Sequence, residues 1–231
     1  MDRVAWMREK RRKAEVRYDT LFAHDYDRDW GHINQTHRIF LERLLTLCPA
    51  HGVLLDAACG TGKYWPMILA SEHSVVGIDQ SAQMLAQAKR KFPAVSVEKK
   101  GLQELDYSEA FDGVLCVDAM EFVFPEDWPR VLDNFYRALK SRRYLYLTVE
   151  VIDEQELTTS FAMSKQKGLP VVEGEYAHEE SYHYYPAIEQ VKQWLHAAHF
   201  NNIEEAEGDG YYHFLVQKQA ERLEVNDERA A

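Results

Sequence analysis

Val53-Leu54-Leu55-Asp56-Ala57-Ala58-Cys59-Gly60-Thr61-Gly62-Lys63 is an apolar run that reaches an acid and then breaks into a turn carrying two glycines. The pattern predicts a buried strand whose end is handed to a ligand. Gly60 and Gly62 lack a Cβ, so the backbone can turn tightly and be approached closely, and the helix that follows offers its free N–H groups. A second short apolar run, Ser74-Val75-Val76-Gly77-Ile78-Asp79, also ends in an acid. Asp79 stands 23 positions after Asp56, close to the roughly 20 expected of a carboxylate that binds a ribose. Two strand ends, a glycine turn and a sugar-binding acid point to an adenosine-containing cofactor.

Nicotinamide and flavin enzymes of this architecture carry a third glycine, which lets the helix start sit against a pyrophosphate. Here the turn continues as Lys63-Tyr64-Trp65, so a pyrophosphate fits poorly and a nicotinamide-dependent reductase is disfavoured. The acid-x-x-x-Gly-x-Gly pattern with an acid at the next strand end resembles the class I S-adenosylmethionine-dependent methyltransferases. Within them the chain looks most like the small-molecule branch that includes ubiquinone and menaquinone methyltransferase-like proteins. The resemblance runs from about Tyr18 to Lys218 and is strongest from Val53 to Val123.

This resemblance implies S-adenosylmethionine as cofactor and assigns residues to it. Asp56 and the backbone at Ala58, Gly60 and Gly62 would hold the methionine part, with Tyr26 of an N-terminal cover meeting its carboxylate. Asp79 would take both ribose hydroxyls. Gln80 and Met84 would flank the adenine, and Gly101, Leu102 and Gln103 would close over the same ring. The strand Phe111 to Asp118 would bring Asp118 towards the reacting methyl group. Two departures stand out. The family often has glycine where Ala58 stands, and often a Lys-Pro-Gly-Gly turn where this chain has Lys140-Ser141-Arg142-Arg143.

At 231 residues and 46% hydrophobic, the chain can bury one full α/β core. The expected fold is a Rossmann-like, doubly wound, mostly parallel seven-stranded sheet with an antiparallel C-terminal strand and helices on both faces. Helices are predicted over Tyr64–Ala70, Ser81–Phe92, Trp128–Leu139 and Ala187–Ala198, with strands at Val95–Glu98 and Tyr144–Val149. A hairpin follows, Ile203–Glu207 and Tyr211–Gln217 joined at Gly208-Asp209-Gly210. Residues 1–50 read as an N-terminal helical cover, 51–218 as the cofactor-binding domain, and 219–231 as a flexible tail. Tyr18, Phe22 and Tyr26 recur at four-residue spacing, which suits either a cover over the ligands or a helix packed on the sheet. The insert 152–185 fits no strand–helix unit and is the candidate substrate lid.

The net charge of −11 disfavours nucleic acid as a partner and leaves a small-molecule acceptor. The basic stretch Arg3 to Arg17 reads as a helix packed on the domain. No apolar run reaches the ~18 residues of a membrane span. Cys48, Cys59 and Cys116 form no C-x-x-C pair, so reduced thiols and a cytoplasmic location are expected.

Methyl transfer needs alignment, exclusion of water and, for weakly acidic acceptors, a base. Candidate groups are Asp118, Glu121, Glu150, His178, His183, Tyr212 and His213, with His183 or His213 favoured as base. Alternation places Tyr211 with His213 and Tyr212 with Phe214 on opposite faces, and either face could meet the substrate. His178-Glu179-Glu180-x-x-His183 matches no strong metal motif, and solvated charges on a lid helix explain it, so no metal is expected. The leading expectation is methyl transfer to a small organic acceptor, aromatic or otherwise apolar. A non-catalytic protein that binds the cofactor or a partner is the alternative.

Overall fold

The apolar quintet Val53–Ala57 forms β1 and pairs in parallel with a strand on each side. The structure, a computed structural model, describes residues 2–177 and 181–220. The predicted tail, and His178 to Glu180, fall outside the described residues apart from 219 and 220. The helices are α1 (Arg3–Arg17), α2 (Tyr26–Trp30), α3 (Gln35–Leu47), α4 (Trp65–Ala70), α5 (Ala82–Lys91), α6 (Trp128–Ala138), α7 (Glu154–Gln166) and α8 (Ile188–Ala197). The strands after β1 are β2 (Ser74–Asp79), β3 (Ser96–Lys99), β4 (Phe111–Cys116), β5 (Leu139–Glu150), β6 (Glu175–Ala177), β7 (Tyr182–Tyr184), β8 (Phe200–Gly208) and β9 (Tyr211–Lys218). Seven strands make one sheet in the order β3-β2-β1-β4-β5-β9-β8, with β9 antiparallel to both neighbours. The chain leaves β1 in one direction for β2 and the other for β4, so a crevice opens beyond their carboxyl ends.

Alternation within β1 builds the two halves of the core. Leu54 faces α3, α4 and α5 beside Leu44, Trp65 and Leu85, while Leu55 faces α6 and α8 beside Leu132 and Val191. Each fully buried side chain of this size contributes about 1.5–3 kcal/mol, so both sheet faces must be covered.

The expected sheet, with its antiparallel ending, is present. Three local expectations change. First, β5 begins at Leu139, five residues earlier than the apolar run indicated, because Lys140 and Arg143 reach the Asp112 carboxylate and extend the pairing with β4. Second, the hairpin turns on Asp209-Gly210 alone, both at positive φ, and Gly208 is the last residue of β8. Third, the insert has regular structure: α7, whose N-terminus is capped by Asp153, and the β6–β7 ribbon. His183 lies in β7, a strand where a lid helix was expected.

The basic α1 is strapped across this insert. Arg3 forms ion pairs with Glu175 at 2.6 Å and Glu126 at 2.7 Å and donates to the carbonyl of Pro170. Arg11 pairs with Asp127, and Trp6 is buried edge-on between Phe124 and Tyr182. Basic side chains of α1 are thus matched by acids of the segments beneath, as a helix packed on the domain requires. Among the described residues no helix is long and apolar enough to cross a membrane.

Candidate active site

The turn after β1 is shaped by Trp65. Its indole N–H donates to Asp56 Oδ2 at 2.8 Å, and its ring is completely buried between the turn and β2. A Cβ on Gly77 would come within 2.4 Å of that ring, and one on Gly62, at φ +79°, within 2.7 Å. The glycines thus make room for a side chain as well as for a bend. Ala58 also takes a left-handed conformation, φ +66°, which explains the glycine expected there and costs a residue with a Cβ about 1–2 kcal/mol.

Two adjoining cavities open at this end of the sheet. The smaller, about 80 Å³, is lined by Ala58, Gly60, Asp79, Gln80, Met84, Gly101, Leu102, Gln103, Tyr26 and Asp118. The sequence missed Lys100, Ala119 and Phe122 on the same wall. Gly62 and Asp56 line neither cavity: Asp56 is turned under the turn towards Trp65. Asp79 accepts from the backbone N–H of Gly60 at 2.9 Å and of Ser81 at 2.8 Å. Burial nevertheless raises its pKa against those bonds, helped by Asp19. Burial likewise pushes Asp56 up to about 7 despite the bond from Trp65.

An engineered cavity of roughly 150 Å³ holds a benzene ring, so an adenine ring cannot enter the smaller space until its cover moves. That cover is the segment from α1 to α2, latched at its edges. Asp19 accepts from Ser81 Oγ at 2.5 Å and from the N–H of Gln83, while Asp27 meets Thr61 Oγ1 and Lys91. Tyr18 and Phe22, 5.3 Å apart in a π-helical turn, both line the larger cavity.

The larger cavity, about 430 Å³, shares Tyr18, Tyr26, Asp118 and Phe122 with the smaller one. Phe22 and Trp30 add apolar wall, and Glu121, Glu150, His183 and Tyr211 supply polar groups. Lys10, Ala14 and Arg17 of α1 also reach it, and their i, i+4, i+7 spacing was the available signal. His183 Nδ1 lies 2.9 Å from the Tyr185 hydroxyl and 3.2 Å from Glu150 Oε2. His213 is placed elsewhere. It is fully buried against Phe40 and Tyr146, with Nδ1 at 3.0 Å from the Tyr146 hydroxyl and Nε2 at 3.1 Å from the carbonyl of Gly208. Both ring nitrogens are engaged, and it lines neither cavity, so the Tyr211 side of β9 meets the pocket through Tyr211 alone. Tyr212, on the other side, bonds Glu205. Among the described residues no group of three His, Cys, Asp or Glu could hold a metal ion.

Asp118 sits between the cavities. Burial raises its pKa, but contacts with His37 Nε2 at 3.1 Å and Lys63 Nζ at 3.5 Å outweigh it and hold the carboxyl low. Glu121 has only the hydrogen bond from its own backbone N–H to oppose the rise. Burial, Glu150 and Asp118 all push it well above the ordinary carboxylate range.

A family model described as a methyltransferase domain matches residues 54–142, the span from β1 into β5 that supplies most of the smaller cavity. That span therefore carries a methyltransferase domain, and the curated relatives it resembles are methyltransferases. Over 105 residues it is 35% identical to malonyl-[acyl-carrier protein] O-methyltransferase of Pectobacterium atrosepticum, covering 42% of this chain and 38% of that one. Over 96 residues it is 33% identical to dTDP-4-amino-2,3,4,6-tetradeoxy-D-glucose N,N-dimethyltransferase of Saccharopolyspora spinosa, covering 41% and 39%. Each match therefore spans about two fifths of the relative's length. Among solved structures, 1,6-didemethyltoxoflavin-N1-methyltransferase of Burkholderia thailandensis shares the fold with TM-score 0.69 at 19% identity, over 92% of this chain and 90% of that one.

Proposed function

We propose that this methyltransferase moves the sulfonium methyl of S-adenosylmethionine to a small organic acceptor with an apolar or aromatic body, by in-line displacement. The observation that carries this reading is the pair of cavities that meet at Tyr18, Tyr26, Asp118 and Phe122, one holding Asp79 and the other walled by aromatics. When bound, the cofactor supplies a methyl group on positively charged sulfur, which needs no further activation. The chain's part is to bind, align and keep water away.

In this reading Asp79 exchanges its backbone bonds for the ribose hydroxyls, and Met84 and Leu102 pinch the adenine. The cover closes over both ligands, with its latches at Asp19 and Asp27 setting the cost of opening. His183, facing the larger cavity and held by Tyr185 and Glu150, is the candidate base for an acceptor that must lose a proton. Both named relatives act on small or carrier-bound groups, one as an O-methyltransferase and one as an N,N-dimethyltransferase, and the reading for this chain covers either atom.

Calorimetric titration of S-adenosylmethionine and S-adenosylhomocysteine tests the reading. Both are expected to bind, and Asp79→Ala is expected to weaken them about tenfold to a hundredfold, the loss of charge-assisted hydrogen bonds. A folded wild type that binds neither would overturn it.

A further inference from the structure

Glu121 is the least expected side chain in the acceptor cavity. It follows β4 in the 3₁₀ turn Met120–Phe122, is 4% exposed, and its Oε2 has no hydrogen-bond partner among the described residues. A buried carboxyl left unsatisfied is costly and calls for a partner or a chemical role. The same cavity holds Glu150, whose carboxylate is bonded by Tyr185 and lies 3.2 Å from His183, with its Oε2 lacking an aligned hydrogen bond among the described residues. Two cations on this wall have other partners: Lys63 meets Asp118, and Arg17 lies over the face of Phe22. Phe22, Trp30, Tyr18 and Phe122 complete the lining with π faces, surfaces that attract a cation as well as an apolar body.

From this arrangement we infer that the acceptor carries a basic nitrogen, and that Glu121 and Glu150 form the subsite that binds it as an ammonium group. The inference rests on the methyltransferase reading above and narrows its acceptor class to amines. An ammonium donates hydrogen bonds to the pair and brings the positive charge that lets Glu121 ionise despite its burial and its acidic neighbours, which neither a hydroxyl nor a carboxylate brings. The chemistry then balances. One ammonium proton passes to a carboxylate of the pair, and the freed nitrogen lone pair forms the N–C bond as the C–S bond breaks towards sulfur. The product is a methylated ammonium and S-adenosylhomocysteine. The proton held on the pair leaves to solvent by way of His183 when the cover opens.

Three probes of one shape test this: phenethylamine, 2-phenylethanol and phenylacetate, titrated into the full chain with and without S-adenosylhomocysteine. Phenethylamine is expected to bind at least about tenfold more tightly than the other two, and Glu121→Gln and Glu150→Gln are each expected to weaken it about tenfold or more. S-adenosylhomocysteine should bind these variants as it binds wild type. Glutamine matches glutamate in shape and carries no charge, so both variants should fold, and thermal melts check that they do. Equal binding of the alcohol or the acid, no amine binding at millimolar concentration, or unchanged amine binding in both variants would overturn the inference. Failure of S-adenosylhomocysteine to bind would instead overturn the cofactor reading, since the amine preference is read without it as well.

Discussion

Replacing Asp56 by asparagine is expected to make the protein more stable, and more so as the pH rises. In the native state burial lifts the Asp56 carboxyl from 3.8 to about 7. A carboxyl raised in this way binds its proton more tightly folded than unfolded. Stability is therefore fully present below the unfolded value and is lost as pH climbs through the folded one. Between those two values each pH unit removes about 1.4 kcal/mol, so from about pH 5 to about pH 8 the loss amounts to roughly 2.5 kcal/mol. Asparagine keeps an oxygen to accept from the Trp65 indole and has no proton to lose. Urea denaturation of the two proteins should show the gap in favour of the variant widening by roughly 2.5 kcal/mol from about pH 5 to about pH 8. For a chain of this length the same gap is a Tm difference of roughly 5–10 °C. A difference that stays constant over that range, or a wild type that is the more stable at the upper end, would show that Asp56 is not held in this way.

Gly77→Ala drives a methyl to within 2.4 Å of the Trp65 ring and 2.8 Å of Cys59 Sγ, and should cost about 1–3 kcal/mol of overpacking in the same denaturation assay. Arg3→Ala leaves the fully buried Glu175 without its guanidinium. The expected loss is roughly 3 kcal/mol, partly recovered by adding Glu175→Gln, and an additive double variant would refute the coupling. His183→Ala should lower turnover by about a hundredfold or more where the acceptor must lose a proton. His213→Ala should cost mainly stability. Because burial holds His213 below its ordinary value, wild type should also lose stability as pH falls below about 6.5, a dependence that His213→Ala removes. Melts across that range, with turnover measured beside them, separate the two histidines.

The reading of Val53 to Asp79 carried far because local chemistry dictates it. A strand end needs a turn, the turn needs Gly60 and Gly62, and an acid at the next strand end has few structural uses. The lining of the smaller cavity by Gln80, Met84, Gly101, Leu102 and Gln103 came from resemblance, since their spacing alone marks no site. What stayed hidden depends on distant partners. Asp56 looks the same in sequence whether it faces a ligand or an indole, and only Trp65 decides. His213 and His183 are equivalent as letters, yet the neighbours Phe40 and Tyr146 close one off while the cavity opens to the other. The insert defied periodicity because β6 and β7 are three residues each and are held by α1, more than 150 positions away in the chain.

That strap has a consequence for the order of assembly. Arg3 and Glu175 are 172 residues apart, and ribosomes add about 5–20 residues per second. The N-terminal helix thus waits roughly ten to thirty seconds for the partner that fixes it. In that interval β1, β2, β3 and β4 can already pair around the nucleotide side of the crevice, whereas the acceptor side does not yet have the ribbon that walls it. A nascent chain of this kind could hold its methyl donor before it had any place to put a substrate.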